Sequence, residues 1–528
     1  MGGGFSYQLS DFEDTILEDI ALKPNNDGIC NGKSPTDHDC VDCDESDDGN
    51  DDEFSSIDVR DYIDQFPFEN LVFEGGGVKG MAYLGALKLL DEIGLLKKIK
   101  RCAGTSIGSV TALVAVLGFN AEEIEEISSV NLGAFLDVGK WRVIYNMFQF
   151  LGWQNYTSFY DYIGTLVEKK LGNKDATFRD LYEKTGRELC VVVTNLTVLH
   201  EEYFHPKTTP NIPIRLAVRM SVALPGLIQP VKCRVNGHTA LYSDGGIIMN
   251  YPISCFDGWW LSMKNEDSFL KRLHPLKDLP KILDRRNKFA RDEKTSDKTL
   301  GFIVFNNDDE TNNYNSVVTR KNKHKVTYPD TTLARKALDR RLTAVRLGKE
   351  HQSTGEAISK FLELAGKYDI DCSNTITKDE LTEVFKDETF TAGQKEILFG
   401  ENATIEAAMK MMDKDSSGNI DFNEIVEYCS RKGYALANYG ILGSEKQQIN
   451  SLKDFTQAFF STVSLNADQI GFSSEDLPRT VGVHTHYVST ADFSVETEDV
   501  KFIMEEGKKS TLAFLKHFAA TKLKPKQS

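Results

Sequence analysis

Residues 71–80 read Leu-Val-Phe-Glu-Gly-Gly-Gly-Val-Lys-Gly, an apolar run that ends in three consecutive glycines. Helical periodicity through Leu84, Leu87 and Leu90 follows, so the glycines join a predicted strand to a predicted helix. Backbone N–H groups of such a turn can point at an anion, and the helix N-terminus adds its dipole. The turn is a candidate anion cradle made of Gly75, Gly76, Gly77, Val78, Lys79 and Gly80. A plain tight turn stays an alternative. A nucleotide loop is disfavoured because the Gly-Lys-Ser/Thr ending is missing.

A second predicted strand-to-helix turn, Gly104-Thr105-Ser106-Ile107-Gly108, follows further along the chain. It has the Gly-x-Ser-x-Gly pattern of a nucleophile elbow, whose glycines permit a sharp turn. The turn exposes the serine hydroxyl at a helix N-terminus, where developing negative charge is stabilised. Ser106 is therefore the predicted nucleophile.

A serine nucleophile needs a base, and the sequence offers two kinds. In an α/β-hydrolase the base is a histidine, and His484 and His486 follow Ser106 in the required order. The alternative base is Asp244, a carboxylate at a predicted strand end. Two glycines follow it at residues 245–246 and leave room for close approach to the serine.

Taken together, these motifs resemble the patatin-like phospholipase family, in which a Ser-Asp dyad replaces the catalytic triad. In that family the oxyanion hole lies in Gly-Gly-Gly-x-Arg/Lys-Gly, the serine in Gly-x-Ser-x-Gly and the aspartate in Asp-Gly-Gly/Ala, and all three occur here in the family's order. The resemblance extends from about residue 68 to 309, including Ser-Val-Ala-Leu-Pro-Gly at 221–226, and resumes near 489–493. One departure is Glu74, where many members have aspartate.

The resemblance implies roles for individual residues. Ser106 is the nucleophile and Asp244, followed by Gly245 and Gly246, is the base. The N–H groups of Gly76, Gly77 and Val78 hold the oxyanion.

The implied fold is α/β, a patatin-like sheet flanked by helices, which agrees with the alternation of strand-like and helical runs. Predicted strands include Leu71–Phe73, Ile99–Ala103, Leu189–Val193 and Gly301–Phe305, and a final helix is predicted around Phe502–Phe518.

A different pattern marks a predicted all-α EF-hand domain inserted in this fold. One stretch supplies oxygen ligands at positions 1, 3, 5, 7, 9 and 12 of a calcium loop, with glycine at position 6. These ligands are Asp413, Asp415, Ser417, Asn419, Asp421 and Glu424. A partner loop begins 44 residues earlier with the ligands Asp369, Asp371, Ser373, Thr375 and Glu380, and Asn374 replaces its glycine. We expect Ca²⁺ to be regulatory or structural, not catalytic. A partner loop that pairs without holding calcium stays an alternative.

Charge is unevenly distributed along the 528 residues. The net charge is −17, and residues 1–60 hold 17 Asp and Glu against three Lys and Arg, which predicts a disordered acidic tail. A zinc site at His38, Cys40 and Cys43 is disfavoured because no second ligand pair follows.

The sequence predicts four parts of the chain. They are the acidic tail (1–60), the first part of the catalytic domain (61–309), a basic linker with the EF-hand pair (310–440) and the closing part of the catalytic domain (441–528).

Several features bear on location. The start of the sequence lacks the basic and apolar regions of a secretory signal, and Gly2 fits a pattern for N-myristoylation. Residues 102–119 carry no charge, but their small polar residues favour a turn and a buried helix over a membrane span. Residues 264–350 hold 21 Lys and Arg against 13 Asp and Glu, and a predicted helix there includes Arg340 and Arg341. A solvated helix face is one interpretation of this helix, and attraction to an anionic membrane surface or docking onto the EF-hands are the others. Nucleic acid is not an expected partner.

The sequence therefore predicts a cytoplasmic, peripherally membrane-associated lipid acyl hydrolase of phospholipase A type. It would cleave ester bonds of membrane glycerolipids through an acyl-enzyme on Ser106, under calcium control. Two alternatives stay open. One is a calcium-responsive membrane-binding protein with a silent hydrolase domain, and the other is a transacylase, in which an alcohol replaces water.

Overall fold

The structure is a computed structural model that describes residues 57–130, 133, 135, 152–154, 156–272, 275, 277–306, 326–369, 373, 375–400, 403–431, 463, 473–490 and 492–523. The predicted acidic tail, including Gly2, lies outside the described residues except for 57–60. Asp371, Asn374 and the side chains of 340–353, among them Arg340 and Arg341, also lie outside them.

A mixed β-sheet forms the centre of the catalytic part. In chain order the strands are β1 (Asn70–Phe73), β2 (Arg101–Thr105), β3 (Gly152–Gln154), β4 (Glu188–Asn195), β5 (His200–Phe204), β6 (Gly226–Ile228), β7 (Val231–Val235), β8 (His238–Asp244), β9 (Thr299–Phe305), β10 (Thr375–Thr377), β11 (Asn419–Asp421) and β12 (Thr480–His484). The main sheet has the order β12-β9-β1-β2-β4-β8-β7, and β5 also pairs with β4. The strands from β12 to β4 run parallel, while β5, β7 and β8 add antiparallel pairs. Strands β1 and β9 are buried along their whole length, as parallel strands covered on both faces are.

Helices flank this sheet and also build a separate module. They are α1 (Ala82–Glu92), α2 (Ile107–Leu117), α3 (Ala121–Ser128), α4 (Thr157–Leu171), α5 (Phe178–Thr185), α6 (Ile214–Ser221), α7 (Leu279–Ile282), α8 (Arg285–Lys288), α9 (Glu293–Ser296), α10 (Thr332–Tyr368), α11 (Lys378–Lys386), α12 (Ala392–Phe399), α13 (Ile405–Met412), α14 (Phe422–Arg431) and α15 (Thr497–Lys522). Helix α2 packs on β2 and β4, α6 on β4 and β8, and α15 on β12 and α1. The α/β architecture with flanking helices agrees with the prediction.

Residues far along the chain complete the main sheet. Strand β12 pairs in parallel with β9, and residues 306–479 lie between them in sequence. Arg479, just before β12, is buried and its guanidinium binds the carboxylates of Asp257 and Asp476 at 2.6 and 2.7 Å. Removing one partner of such a buried ion pair leaves an uncompensated charge, so this cluster fixes where the returning segment docks.

Between β9 and β12 lies the helical module, formed by the described residues from 354 to 431. Helices α11 to α14 and the end of α10 enclose their own apolar core, which includes Phe361, Leu381, Phe399 and Met412. Strands β10 and β11 pair antiparallel, with Ile376 opposite Ile420. The sequence pattern gave no strands here, since three-residue strands carry no usable periodicity.

The structure corrects other strand predictions. Strand β2 begins at Arg101 instead of Ile99, because Leu95–Lys98 form a 3₁₀ helix that Ile99 ends. Strand β4 is longer than predicted, and β5 and β7 were not predicted. Residues 102–119 form most of β2 and all of α2, so this uncharged stretch is a strand, a turn and a buried helix. In the described part of the chain, no helix combines the length and apolar character that a membrane span requires.

Candidate active site

Ser106 occupies a strained turn between β2 and α2. Its φ of +52° lies in a region that residues with a side chain rarely adopt. The turn is compact because Gly104 and Gly108 have no side chains. A Cβ on Gly104 would lie 2.1 Å from the carbonyl oxygen of Gly108, and one on Gly108 would lie 2.5 Å from the carbonyl oxygen of Glu74. The serine therefore has the geometry of a nucleophile elbow at the N-terminus of α2.

The register of the sheet brings Asp244 to this serine. Thr105 on β2 and Asp244 on β8 pair with consecutive residues of β4, Val192 and Val193. Strand β5 occupies the opposite edge of β4 at this level, so β2 and β8 meet along the same edge and Ser106 lies beside the aspartate. The Ser106 Oγ donates a hydrogen bond to Asp244 Oδ2 at 2.7 Å. The other carboxylate oxygen accepts the N–H of Gly246 at 2.8 Å. The structure thus places the two residues in direct contact.

The segment at 221–226 holds both members of this pair. The N–H of Ser106 donates to Ser221 Oγ at 2.9 Å, and that hydroxyl donates to the carbonyl of Val192 at 2.7 Å. The N–H of Asp244 donates to the carbonyl of Ala223 at 2.9 Å. Sequence reasoning recognised this segment by resemblance but gave it no role. The structure shows that it positions the backbones of Ser106 and Asp244.

Burial sets the electrostatics of Asp244. Its side chain is removed from solvent, and this desolvation raises the pKa to about 6, while the hydrogen bonds from Ser106 and Gly246 lower it. At neutral pH the carboxylate is charged and can accept the serine proton. A base with a pKa near the working pH is suited to proton transfer in both directions.

We expect hydrolysis of a soluble ester to show this titration. Below the pKa Asp244 is protonated and cannot accept the serine proton, so kcat/KM should fall about tenfold per pH unit below about 6 and level off above it. Steady-state rates across pH, with circular dichroism at each value to confirm folding, measure the effect. A pH dependence that disappears in His484→Ala or His486→Ala would assign the base to an imidazole instead.

The glycine-rich turn presents its N–H groups unequally. The N–H of Val78 donates to the carbonyl of Thr490 at 3.1 Å, so it is engaged, which differs from the expectation that it holds an oxyanion. The N–H groups of Gly76 and Gly77 donate to no acceptor among the residues that the structure describes. Gly77 has φ +53°, and a Cβ there would lie 2.3 Å from the oxygen of Thr490. Gly76 and Gly77 are therefore the better candidates for oxyanion donors.

Lys79 and Gly80, also expected in the cradle, have supporting roles in this turn. The N–H of Lys79 donates to the carbonyl of Gly76 at 3.2 Å, and the residue is buried. A Cβ on Gly80 would come within 2.4 Å of Ile107, the first residue of α2. The two residues close the turn and seat it against the elbow.

Asn250 is a site residue that the sequence analysis missed. Its backbone carbonyl accepts the N–H of Gly75 at 3.1 Å, and its side-chain amide donates to the Gly75 carbonyl at 3.1 Å and to Glu74 Oε1 at 3.3 Å. The other oxygen of Glu74 accepts the N–H of Val304 at 3.0 Å. The Gly75 N–H is thus engaged as well, and Asn250 fixes the first glycine of the loop. The feature of the sequence that could have pointed to Asn250 is that it is a polar residue within an apolar run, six positions after Asp244.

The two candidate histidines lie together and contact other partners. Their Nδ1 atoms are 3.2 Å apart, and His486 Nε2 is 3.4 Å from Glu506 Oε2 on α15. His486 also packs edge-to-face on Tyr328. Since the Ser106 hydroxyl already donates to Asp244, the geometry favours the aspartate as base.

The second predicted calcium loop brings three carboxylates together. Ligand oxygens of Asp413, Asp415 and Glu424 lie within 4.8 Å of one another. The backbone turns at Gly418, with φ +87°, and the N–H of that glycine donates to Asp413 Oδ2 at 3.0 Å. Asp421, at position 9, follows on β11. Hard oxygen donors around a sharp turn fit Ca²⁺, so the residues present suit this ion.

The first predicted loop is less complete among the described residues. Asp369 Oδ1 accepts the N–H of Ser373 at 3.1 Å. Glu380 is turned toward its own helix start, where one carboxylate oxygen accepts the N–H and the hydroxyl of Thr377, both at 2.9 Å. This carboxylate would have to turn away from the helix start to reach an ion.

Together, the sheet, the elbow and the buried aspartate define an α/β domain built around a serine–aspartate pair. Residues 71–257 match the family model described as patatin-like phospholipase. The chain therefore carries a patatin-like phospholipase domain.

Three relatives each match somewhat more than a third of the chain. An uncharacterized protein of Acanthamoeba polyphaga mimivirus is 30% identical over 197 residues, which are 37% of this chain and 63% of that protein. The uncharacterized protein YqhO of Bacillus subtilis (strain 168) is 33% identical over 195 residues, 35% of this chain and 65% of that protein. The "Probable lipid hydrolase 463L" of Invertebrate iridescent virus 6 is 28% identical over 193 residues, 35% of this chain and 62% of that protein. The chain thus spans less than two thirds of each of these relatives.

Proposed function

We propose that this protein is a lipid acyl hydrolase of phospholipase A type that cleaves ester bonds of membrane glycerolipids. The observation that carries the proposal is the 2.7 Å hydrogen bond from Ser106 Oγ to the buried carboxylate of Asp244. The patatin-like domain and the relative named as a probable lipid hydrolase support a lipid ester as the substrate class.

The arrangement suits acyl transfer in two halves. Asp244 accepts the hydroxyl proton as Ser106 Oγ attacks the ester carbonyl carbon, and the N–H groups of Gly76 and Gly77, with the N-terminus of α2, stabilise the oxyanion. The alcohol leaves with the proton from Asp244, and an acyl-serine remains. Water then attacks this ester and gives its proton to Asp244. Asp244 passes that proton to the Ser106 Oγ as the fatty acid leaves, which restores the serine hydroxyl and the free carboxylate.

Incubation with mixed-lipid vesicles, with and without calcium, tests this function. We expect free fatty acid and lysolipid as products, and a fluorophosphonate should label Ser106. Acyl transfer to an added alcohol in place of fatty acid would identify a transacylase. Vesicle binding without any product or labelling would identify a silent domain.

We also propose that the helical module is an EF-hand pair that binds Ca²⁺ outside the chemistry. The antiparallel pairing of Ile376 with Ile420, both at position 8 of their loops, supports this proposal, because it joins the two loops into one unit at equivalent positions. The ion would be held by the carboxylates of Asp413, Asp415 and Glu424, whose oxygens already lie close together.

A chain of contacts offers a route from this module to the active site. Helix α10 runs from the module to its N-cap Thr331, whose hydroxyl donates to the buried Asp499 at 2.5 Å. Tyr487 donates to the same carboxylate oxygen at 2.6 Å. Three residues after Tyr487, the carbonyl of Thr490 holds the N–H of Val78. We propose that calcium acts on hydrolysis through this segment.

The variant Thr331→Val tests this route, because it removes the N-cap and the bond to Asp499 while leaving the calcium loops intact. We expect calcium to bind as before but to change vesicle hydrolysis much less than in the parent. Calorimetry measures the first and fatty-acid release the second. An unchanged calcium response would show that the signal takes another route.

A further inference from the structure

We propose that the hairpin between β4 and β5 is a membrane-docking element that inserts Val198 and Leu199 into an anionic lipid surface beside the active site. The proposal rests on the proposed lipid hydrolase function and assigns the surface through which the enzyme meets its substrate.

The tip of this hairpin is unusually apolar for its position. Val198 is 61% exposed and Leu199 is 80% exposed. The turn spans the four residues 196–199. Turn positions with left-handed backbone favour Asn, Asp and Gly, because these residues tolerate that conformation at little cost. Leu199 nevertheless has φ +57°. A leucine in that conformation, with its side chain in water, is unfavourable in both respects and points to a function.

Hydrogen bonds hold the tip in a defined shape. The side-chain oxygen of buried Asn195 accepts the N–H groups of Thr197 and Val198 at 3.0 and 3.3 Å, and its nitrogen donates to Glu202 at 2.7 Å. The neighbouring strand β8 adds a bond from the Leu241 N–H to Thr197 Oγ1 at 2.9 Å. The two apolar side chains are therefore presented in a preformed turn.

The register places this tip at the same edge of the sheet as the nucleophile. Strand β4 runs parallel to β2, and Thr105, next to the nucleophile, pairs with Val192. The chain continues past that level to Asn195 and then turns. An apolar tip at the substrate edge can reach a lipid surface while Ser106 faces it.

The adjacent hairpin, β7 to β8, carries exposed cations at this edge. Lys232 pairs with Leu241, whose carbonyl accepts the N–H of Leu196 in the β4–β5 turn. Arg234 pairs with Thr239, still farther beyond the level of Asp244. Both cations are exposed. At about 3.3 Å per residue, they lie roughly 10 and 16 Å beyond the dyad level along β8. Apolar side chains flanked by cations match an anionic lipid surface.

A double variant, Val198→Ser with Leu199→Asn, removes the apolar tip without adding charge. We expect its binding to phosphatidylcholine/phosphatidylserine vesicles, measured by sedimentation, to fall about tenfold, since the variant lacks the two apolar side chains that would insert into the lipid. Vesicle hydrolysis should fall in parallel, while hydrolysis of a monomeric short-chain ester stays within about twofold of the parent, because neither residue touches the dyad. The melting temperature should not fall, since Asn tolerates the left-handed conformation.

Leu270→Asn is the matched control. Leu270 is 82% exposed. It lies near Asp267, whose carbonyl accepts Lys207 Nζ, and Lys207 follows the end of β5 that runs away from the nucleophile edge. This variant should bind and hydrolyse vesicles like the parent. A second variant, Lys232→Glu with Arg234→Glu, should lose binding only to vesicles that contain phosphatidylserine.

The outcomes separate this inference from the proposed function. If the parent does not hydrolyse the monomeric ester in a Ser106-dependent manner, the proposed function fails, whereas vesicle sedimentation still tests the hairpin. If the monomeric ester is hydrolysed but the tip variant binds vesicles as well as Leu270→Asn does, the hairpin is not the docking element. Retention of parental vesicle binding by Lys232→Glu with Arg234→Glu would contradict the anionic preference.

Discussion

Ser106→Ala and Asp244→Asn are each expected to lose turnover by about 10³-fold or more, because each removes one end of the hydrogen bond that activates the nucleophile. The first variant has no oxygen to form the acyl-enzyme. The second has an amide that cannot accept the hydroxyl proton from a serine held at 2.7 Å. Initial rates on a monomeric ester measure both losses without any contribution from membrane binding.

His484→Ala and His486→Ala are the matched controls for this pair. Both histidines lie near the segment that holds the glycine-rich turn, but they contact each other and Glu506. Most of the turnover should therefore remain. A loss of several orders of magnitude in either variant, with folding intact, would mean that the proton passes through an imidazole.

Glu424→Gln is expected to weaken calcium binding to the second loop on the order of a hundredfold, because position 12 of an EF-hand loop supplies a bidentate carboxylate. In the structure Glu424 Oε1 lies 2.7 Å from the N–H of Lys414 and Oε2 lies 3.0 Å from that of Asp421, so the carboxylate already spans the loop. Isothermal titration calorimetry measures the change.

Glu427→Gln removes the same charge from the same helix and serves as the control. Glu427 pairs with the exposed ammonium of Lys414 and is not a loop ligand. Calcium affinity should stay within about twofold of the parent, because exposed ion pairs contribute little. If both variants titrate like the parent, the loop is not the calcium site.

Much of the active-site geometry could be predicted because it depends on local sequence. A strand, a glycine and a serine before an apolar helix specify the elbow from neighbouring residues alone. The α/β architecture could be read from buried strands such as β1 and β9, whose apolar runs are continuous. The position of Asp244 beside Ser106 could not be predicted in this way, because it depends on which residues of β4 pair with β2 and β8.

The remaining site residues depend on contacts between distant parts of the chain. Asn250 reaches back to Gly75, and Thr490 reaches Val78, and neither pairing has a local signature. The resemblance suggested Val78 as an oxyanion donor because it lies in the motif. The structure engages its N–H with a carbonyl more than four hundred residues away in the sequence.

The late strand β12 has a consequence for synthesis on the ribosome. Residues 306–479 must be translated before β12 can cover the edge of β9, and Thr490 must follow before the Val78 N–H finds its acceptor. Until then the glycine-rich turn beside Ser106 lacks the hydrogen bond from the Val78 N–H to the Thr490 carbonyl. A newly made chain therefore gains its complete active site only after the helical module has been synthesised.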